Sequence, residues 1–307
     1  MAQLKKISCK NSKVKKFRFT QDKVFDLVVA VILVLIIVIM AYPIYFVFVA
    51  SFSDPAYVNN GSILLWPRGF TLLGYQKVFE DTRIWIGYGN TLIYTIGGTA
   101  LGTLVTMMAG YALSRKDLPF RNAMMGYFVF TMYFGGGLIP FYMVVKKLSL
   151  TNTKTLMVII SAVAVYNIII TRSFMESNIP EELRDAARVD GCGNGRFFFK
   201  IVLPLSKAIV SVIGLWAAVG LWNSYFNAMI YLQEEELQPL QLVLRNILIN
   251  NQAMSTVETG QEAAEMKKIA DPIKYGVIVI SSLPIMMLYP FVQKYFNQGV
   301  MLGSVKG

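Results

Sequence analysis

Six stretches of this chain, residues 27–53, 84–114, 122–145, 155–171, 208–233 and 275–293, contain no Asp, Glu, Lys, Arg or His. A helix rising 1.5 Å per residue needs about 20 apolar residues to cross a hydrocarbon core of about 30 Å. Five of the stretches approach or exceed that length. The fourth is the shortest and reaches it only if Ser173 to Met175 continue past Arg172, whose charged head can snorkel to the interface. The pattern predicts an all-α polytopic membrane protein with six transmembrane helices. Composition agrees, since 15% charged residues is well below the roughly 25% of soluble domains. A soluble cytosolic enzyme is excluded. The chain has no histidine, which removes His-based acid/base catalysis, Ser-His-Asp triads and the commonest metal ligand.

Orientation follows from the positive-inside bias of connecting segments. With the N-terminus inside, 19 of the 29 basic residues fall on the cytoplasmic side, among them Lys5, Lys6, Lys10, Arg115, Lys116, Arg121, Arg184, Arg188, Lys207 and Lys306. The outer segments hold as many acidic as basic residues, so the inner side carries the whole formal excess of +11. Both termini are expected in the cytoplasm. Cys9 and Cys192 then share the reducing side, and neither a disulfide framework nor a metal site is expected. The Lys-rich arm before the first apolar run is not read as a signal peptide, because the run is too long and lacks a cleavage site. Retention by the inner leaflet and attraction to anionic lipid explain the arm without nucleic acid.

The expected organisation is a basic arm over residues 1–23, a six-helix domain over 24–297 and a cytoplasmic tail over 298–307. The first outer segment, with turn residues Asn59, Asn60 and Gly61, is expected to form a small cap. The third is long enough for a helix from Pro239 to Ile249. The internal link after the second helix, Arg115 to Arg121, is tight. The link after the fourth, residues 176–207, is the informative one.

That loop reads Asn178-Ile-Pro-Glu-Glu-Leu-Arg-Asp-Ala-Ala-Arg-Val-Asp-Gly191. Asn178 can cap a helix with Glu181 three residues on, Pro180 fits a first turn, acidic residues gather at the positive end, and Gly191 can close it. About a dozen residues is marginal for an isolated helix, so something else must hold it. Leu183, Ala186 and Ala187 share a face whose small side chains permit close approach of another surface, with Asp185 and Asp190 flanking it. This is a docking helix. The apolar segment from Phe197 to Pro204 follows, expected at the membrane interface with Pro204 marking the bend into the fifth span.

Asp185-Ala186-Ala187, then Gly191, then Ile201-Val-Leu203-Pro204 resembles the EAA loop of ABC importer permeases, in spacing and in position between membrane helices. The resemblance runs from the first membrane helix to the carboxyl terminus, with a type I core over about 84–297. The chain is similar to the carbohydrate permeases, in particular the smaller permease subunit of the maltose transporter. Trp222-Asn-Ser-Tyr-Phe-Asn-Ala228, Pro239-Leu-Gln-Leu-Val-Leu-Arg245 and the tail Gly299-Val-Met-Leu-Gly-Ser-Val-Lys-Gly307 point to an oligosaccharide subgroup. The resemblance implies that the loop helix sits in a cleft of a cytoplasmic ATPase. Glu182, Asp185, Ala186, Ala187, Asp190 and Gly191 are then the coupling residues, and Gly303, Ser304 and Lys306 belong to a tail reaching the ATPase dimer interface. It also implies a second, non-identical permease and an extracytoplasmic sugar-binding protein, with ATP and Mg used by the ATPase. Two departures stand out: Asp185 replaces the usual leading Glu, and Cys192 stands where alanine is common.

Other residues admit two readings. Trp222, Asn223, Tyr225 and Tyr231, with Phe226, could line a sugar pathway, the aromatics as stacking platforms, or the aromatics could be an interfacial belt. Gly135-Gly-Gly137 with Pro140 could be a hinge or a close-packing notch; Gly97, Gly98 and Gly102 form a small-residue face, and packing is the expectation for both groups. An ion-coupled transporter would want ionisable groups within its spans, and a membrane enzyme would want clustered catalytic groups. Neither pattern is present. A permease for a non-sugar solute and a non-transporting receptor or scaffold remain the alternatives. The chain has no Walker-type phosphate loop.

Overall fold

The computed structural model describes residues 15–257, 273–287 and 290, and the side chains of these except 15–22, 59 and 250–257. Among the described residues the chain is helical and has no strand. It divides into two compact units, residues 1–71 and 72–307.

The first unit begins with α1 (Lys15–Ser51). From Val24 to Ile44 its side chains are exposed and almost all apolar, and a helix apolar all round is a membrane span or a buried core helix. The segment Lys23–Ser51 is long and apolar enough to cross a membrane. Beyond it the chain turns into a short helix. Asp54 Oδ1 accepts from Ala56 N at 2.8 Å and starts α2 (Pro55–Asn59). Thr71 N donates to Phe52 O at 3.0 Å, and the rings of Phe52 and Phe70 stack 5.9 Å apart.

The second unit is organised around one long helix. After α3 (Leu73–Glu80) comes α4 (Thr82–Ser114), capped by Asp81, whose carboxylate accepts from Arg83 N. The Arg83 guanidinium beside Asp81 holds its carboxyl below the usual range. The chain continues through α5 (Arg121–Tyr133), α6 (Leu138–Lys147), α7 (Lys154–Ile159), α8 (Val165–Asn178), α9 (Glu181–Val189) and α10 (Asn194–Phe197). A π-turn over Phe198–Val202 leads to α11 (Leu203–Leu205), α12 (Lys207–Trp222) and α13 (Phe226–Tyr231). A 3-10 turn at Glu235–Leu237 precedes α14 (Leu240–Val257), and α15 (Ile273–Met287) completes the described part. The helix expected from Pro239 to Ile249 is the first part of α14.

Small residues let α4 act as the hub, packed by α12, α8, α7 and α14. A Cβ at Gly98 would meet Leu221 Cδ1 at 2.7 Å, and one at Gly97 would meet Val158 Cγ2 at 3.2 Å. These two glycines are the packing face expected of them. Polar anchors tie the other elements on. Tyr88 Oη donates to Ile280 O at 2.8 Å and Tyr94 Oη to Leu237 O at 2.8 Å, while Thr91 Oγ1 accepts from Leu240 N at 2.8 Å.

Three expected spans differ in shape from a straight helix. Among the described residues two helices can cross a membrane by length and composition, or up to four if each bent pair counts as one span. The third expected span breaks at Phe134–Gly137 into α5 and α6, which meet at 110°. Gly137 has φ 83° and ψ 173°, a region essentially closed to other residues. No neighbour lies within 4 Å of a Cβ at Gly135 or Gly137, so within this chain the triplet is a break and packs against nothing. The fourth expected span divides into α7 and α8 around residues 160–164. The bend before the fifth, 83°, falls at Ser206 and not at Pro204, which sits in the first turn of α11.

Candidate functional site

The helix expected to dock forms, shorter than expected and differently started. Ile179 precedes a proline and is extended, at φ −118° and ψ 97°, as the clash with the proline ring demands. No helix can run through it, so α9 begins at Glu181 with Pro180 in the N-cap position and no side-chain cap. Asn178, expected to be the cap, instead ends α8 and donates its amide to Phe174 O at 2.8 Å. Glu181 and Glu182 occupy the positive end of the helix dipole, and Lys116 Nζ donates to Glu181 Oε2 at 3.2 Å.

The closing glycine does what its position requires. Cys192 N donates to Ala187 O at 2.8 Å and Gly191 N to Arg188 O at 3.0 Å, the paired bonds of a Schellman motif. Gly191 has φ +72°, and nothing lies within 4 Å of a Cβ there. The demand for glycine is therefore conformational and not spatial.

The face of α9 expected to dock is split by the fold. Ala187 is 8% exposed and joins a cluster with Met107, Met175, Phe197, Phe198 and Val202, against which Leu183 also packs. Leu183 and Ala187 therefore hold the helix to this chain and are not free for a partner. The outward face is Glu182, Asp185, Ala186 and Val189, with Asp190 and Gly191 beyond it. Val189, 88% exposed, is an apolar tip that the sequence reading did not single out. Its signal was the helical spacing of 182, 185, 186 and 189.

Asp117, in the tight link after α4, is a second residue given no role by the sequence. Its carboxylate accepts from Arg115 Nε at 3.0 Å and Nη2 at 2.7 Å, a bidentate pair. It also accepts from Arg184 Nη1 at 2.8 Å and Arg188 Nη2 at 3.2 Å. Arg115 Nη1 reaches on to Asn194 Oδ1 at 3.1 Å. The Arg115 guanidinium, then Arg184, holds the Asp117 carboxyl far below the usual carboxylate range, as charge-assisted bonds to an anion must. Beside this cluster lies a cavity of about 410 Å³ lined by Arg115, Lys116, Arg121, Arg172, Glu176 and Glu181 among others.

The aromatic candidates separate. Trp222 is buried, its Nε1 donating to Ser281 O at 3.0 Å and its ring edge-on to Tyr88. Tyr231 is buried and stacks on Tyr142 at 5.9 Å. Asn223 and Tyr225 are exposed, and the Arg245 guanidinium lies 5.7 Å over the Tyr225 ring. The tail residues Gly303, Ser304 and Lys306 lie outside the described residues, as does Cys9.

Residues 102–302, a span that includes α9, match the family described as binding-protein-dependent transport system inner membrane component. The chain belongs to this family. It is therefore a permease, a membrane component of a transport system that depends on a binding protein. Among curated relatives, this permease is 36% identical over 291 residues, 94% of its own length and 100% of the other, to the polygalacturonan/rhamnogalacturonan transport system permease protein YtcP of Bacillus subtilis (strain 168). It is also 36% identical over 266 residues to Protein LplC of the same organism, covering 86% of this chain and 89% of that one. Among solved structures, it resembles a chain of a bacterial ABC transporter that imports the acidic polysaccharide alginate. That likeness has a TM-score of 0.79 at 32% identity and covers 90% of this permease and 98% of the other.

Proposed function

We propose that this permease forms one half of the translocation pathway of an ATP-driven oligosaccharide importer and couples to a cytoplasmic ATPase dimer through α9. The observation that carries the reading is the outward face of that helix. An exposed valine, a small residue and two carboxylates stand on a short helix locked at its base, which suits a cleft that must grip and move it. ATP-driven closure of the ATPase would draw α9 toward its counterpart on a second, non-identical permease and open the pathway outward. A sugar-binding protein would then deliver its cargo, and hydrolysis would reset the pair. Glu182, Asp185, Ala186, Asp190 and Gly191 make the contact or aim it, with Ala187 anchoring the helix from behind. The tail, through Gly303, Ser304 and Lys306, reaches the ATPase interface. ATP and Mg belong to that partner.

The topology that serves this role has six crossings, by α1, α4, the bent pair α5–α6, the pair α7–α8, α12 and α15, with both termini in the cytoplasm of a prokaryote. The basic bias of the inner segments supports it. The α5 helix buries none of its residues within this chain, which leaves it for lipid or the second permease.

The substrate class follows from two lines of support. One relative is named for polygalacturonan and the solved neighbour for alginate, both acidic polysaccharides. In this chain Arg245 pairs with no carboxylate among the described residues and lies over an exposed tyrosine ring. A guanidinium held over an exposed tyrosine ring suits a uronate sugar, whose carboxylate pairs with the cation.

The test is purification of the tagged chain from native membranes in mild detergent, with mass-spectrometric stoichiometry of what is retained. Recovery of a second permease, a P-loop ATPase and a solute-binding protein, the last binding trigalacturonate in preference to maltotriose, is the expected result. Recovery of the chain alone, even after crosslinking at Cys192, would remove the assignment of α9 to an ATPase. A binding protein that takes a neutral sugar or a non-sugar would remove the uronate assignment only.

A further inference from the structure

We propose that Asp117 is the positioning residue that locks α9 to α4, so that the two move as one body when the ATPase acts; this rests on the coupling reading of α9. The apolar contacts of Leu183 and Ala187 hold α9 in place, but such contacts are non-directional and leave a nine-residue helix free to roll or slide on its seat. The carboxylate of Asp117 removes that freedom. It binds two arginines one helical turn apart on α9, Arg184 at 2.8 Å and Arg188 at 3.2 Å, and two points along a rod fix its rotation as well as its position.

The other side of the clamp is α4. Arg115, the residue after the last turn of α4, pairs bidentately with the same carboxylate and also reaches Asn194 beyond the end of α9. One anion therefore joins the hub helix to both the body of α9 and the segment that follows it. Arg184 depends on it most. Its side chain is 14% exposed, and its Nε is buried with no hydrogen-bond partner among the described residues, so Asp117 is the one anion it meets there. The covalent routes from α9 into the bundle are softer, since one passes through the extended Ile179–Pro180 step and the other through Gly191 and Gly193. Without Asp117, three guanidinium groups would also face one another with no anion between them.

The test uses the complete complex in nanodiscs, in a background carrying Cys9→Ser and Cys192→Ser, with spin labels at Val189, introduced after the complex has been assembled so that it retains the ATPase, and at Ile96, an exposed position on α4. A second labelled pair joins Val189 to the ATPase, and the probe is ATP with vanadate. In the unaltered chain the Val189–Ile96 distance distribution is narrow and does not change with nucleotide, while Val189 approaches the ATPase. In Asp117→Asn the Val189–Ile96 distribution is expected to broaden about twofold or more, and Asp117→Glu, which keeps the charge, is expected to restore most of it. Arg184→Gln with Arg188→Gln is expected to broaden it equally, and adding Asp117→Asn to that pair is expected to do nothing more.

A narrow distribution in Asp117→Asn, with Val189 still moving toward the ATPase, would overturn this inference and leave the coupling reading intact. No nucleotide-dependent approach of Val189 in the unaltered complex would overturn both. If Asp117→Asn does not assemble, Arg188→Gln decides the matter, since its side chain is 51% exposed and its loss is a surface change. Partial broadening there supports the clamp, and none sinks it.

Discussion

A Cβ on Gly110 would meet Thr171 Cγ2 at 2.6 Å and the backbone nitrogen of Arg172 at 3.2 Å. The hub helix and α8 therefore touch with no room for a side chain at this point, next to the end of α4 that carries the Arg115–Asp117 clamp. Thr171 is β-branched and stiff, so it cannot swing aside as a leucine tip could. Gly110→Ala is expected to cost about 1–3 kcal/mol through overpacking, read as a lower unfolding temperature of the detergent-solubilised chain. Gly126→Ala, where nothing lies within 4 Å of the added carbon, should show no such loss. Equal behaviour of the two variants would mean that the close contact is not a determinant of stability.

Gly191 tests backbone conformation without sterics. Its φ of +72° with an empty Cβ site predicts that Gly191→Ala weakens the end of α9 by about 1–2 kcal/mol and that Gly191→Asn is milder, because asparagine tolerates the left-handed region. Gly191→Pro should uncouple ATP hydrolysis from uptake while the chain still inserts. The order of coupling efficiency is expected to be Gly, Asn, Ala, Pro. An alanine variant as good as asparagine would remove the conformational argument.

Val189 separates docking from folding. Because it is 88% exposed, Val189→Asp should leave the chain's own stability within about 0.5 kcal/mol. Recovery of the ATPase with the tagged chain is nevertheless expected to fall several-fold. Undiminished recovery would show that the outward face of α9 does not meet the ATPase through its tip.

The clamp should not titrate in the physiological range. Arg115, then Arg184, lowers the Asp117 pKa from its ordinary 3.8. A carboxyl with a depressed folded pKa contributes fully above its unfolded value and loses that contribution only as pH falls through the folded one. The difference between Asp117→Asn and the unaltered chain in the Val189–Ile96 distribution is thus expected to stay constant from about pH 8 to about pH 5. Convergence of the two near pH 6 would show that Asp117 protonates there and is not clamped as described.

Arg245→Gln addresses the substrate. A hydrogen bond to a charged group is worth about 1.5–3 kcal/mol, so transport of trigalacturonate by the complete complex is expected to fall about tenfold or more. If transport were unchanged, Arg245 would not meet the sugar acid.

Much of this permease is local information. The uncharged stretches foretold where apolar helices lie because the demand to bury or lipid-coat apolar surface acts on each segment by itself. Gly191, Pro180 and the paired glutamates marked α9 because helix ends are governed by residues within a turn of them. Asn178 misled because two signals competed within three residues, and the restriction before Pro180 outweighed the capping preference. The break in the third expected span was marked by its glycine triplet but left open between hinge and packing notch, because hydropathy counts apolar residues and is blind to a backbone that turns through 110°.

What the sequence by itself determined is the helical class, the position of α9 and the residues that end it, all set by interactions within one turn or by the solvent each segment needs. The tertiary structure alone decided which way α9 faces, burying Leu183 and Ala187 and presenting Val189, because that depends on the seat built by Met107, Met175, Phe197 and Val202 from three other stretches. It alone decided that Asp117 matters, since the arginines it holds on α9 lie 67 and 71 residues further along the chain. A charge in a loop has no meaning until folding shows which opposite charges arrive within 3 Å or so of it, and no local pattern encodes that arrival.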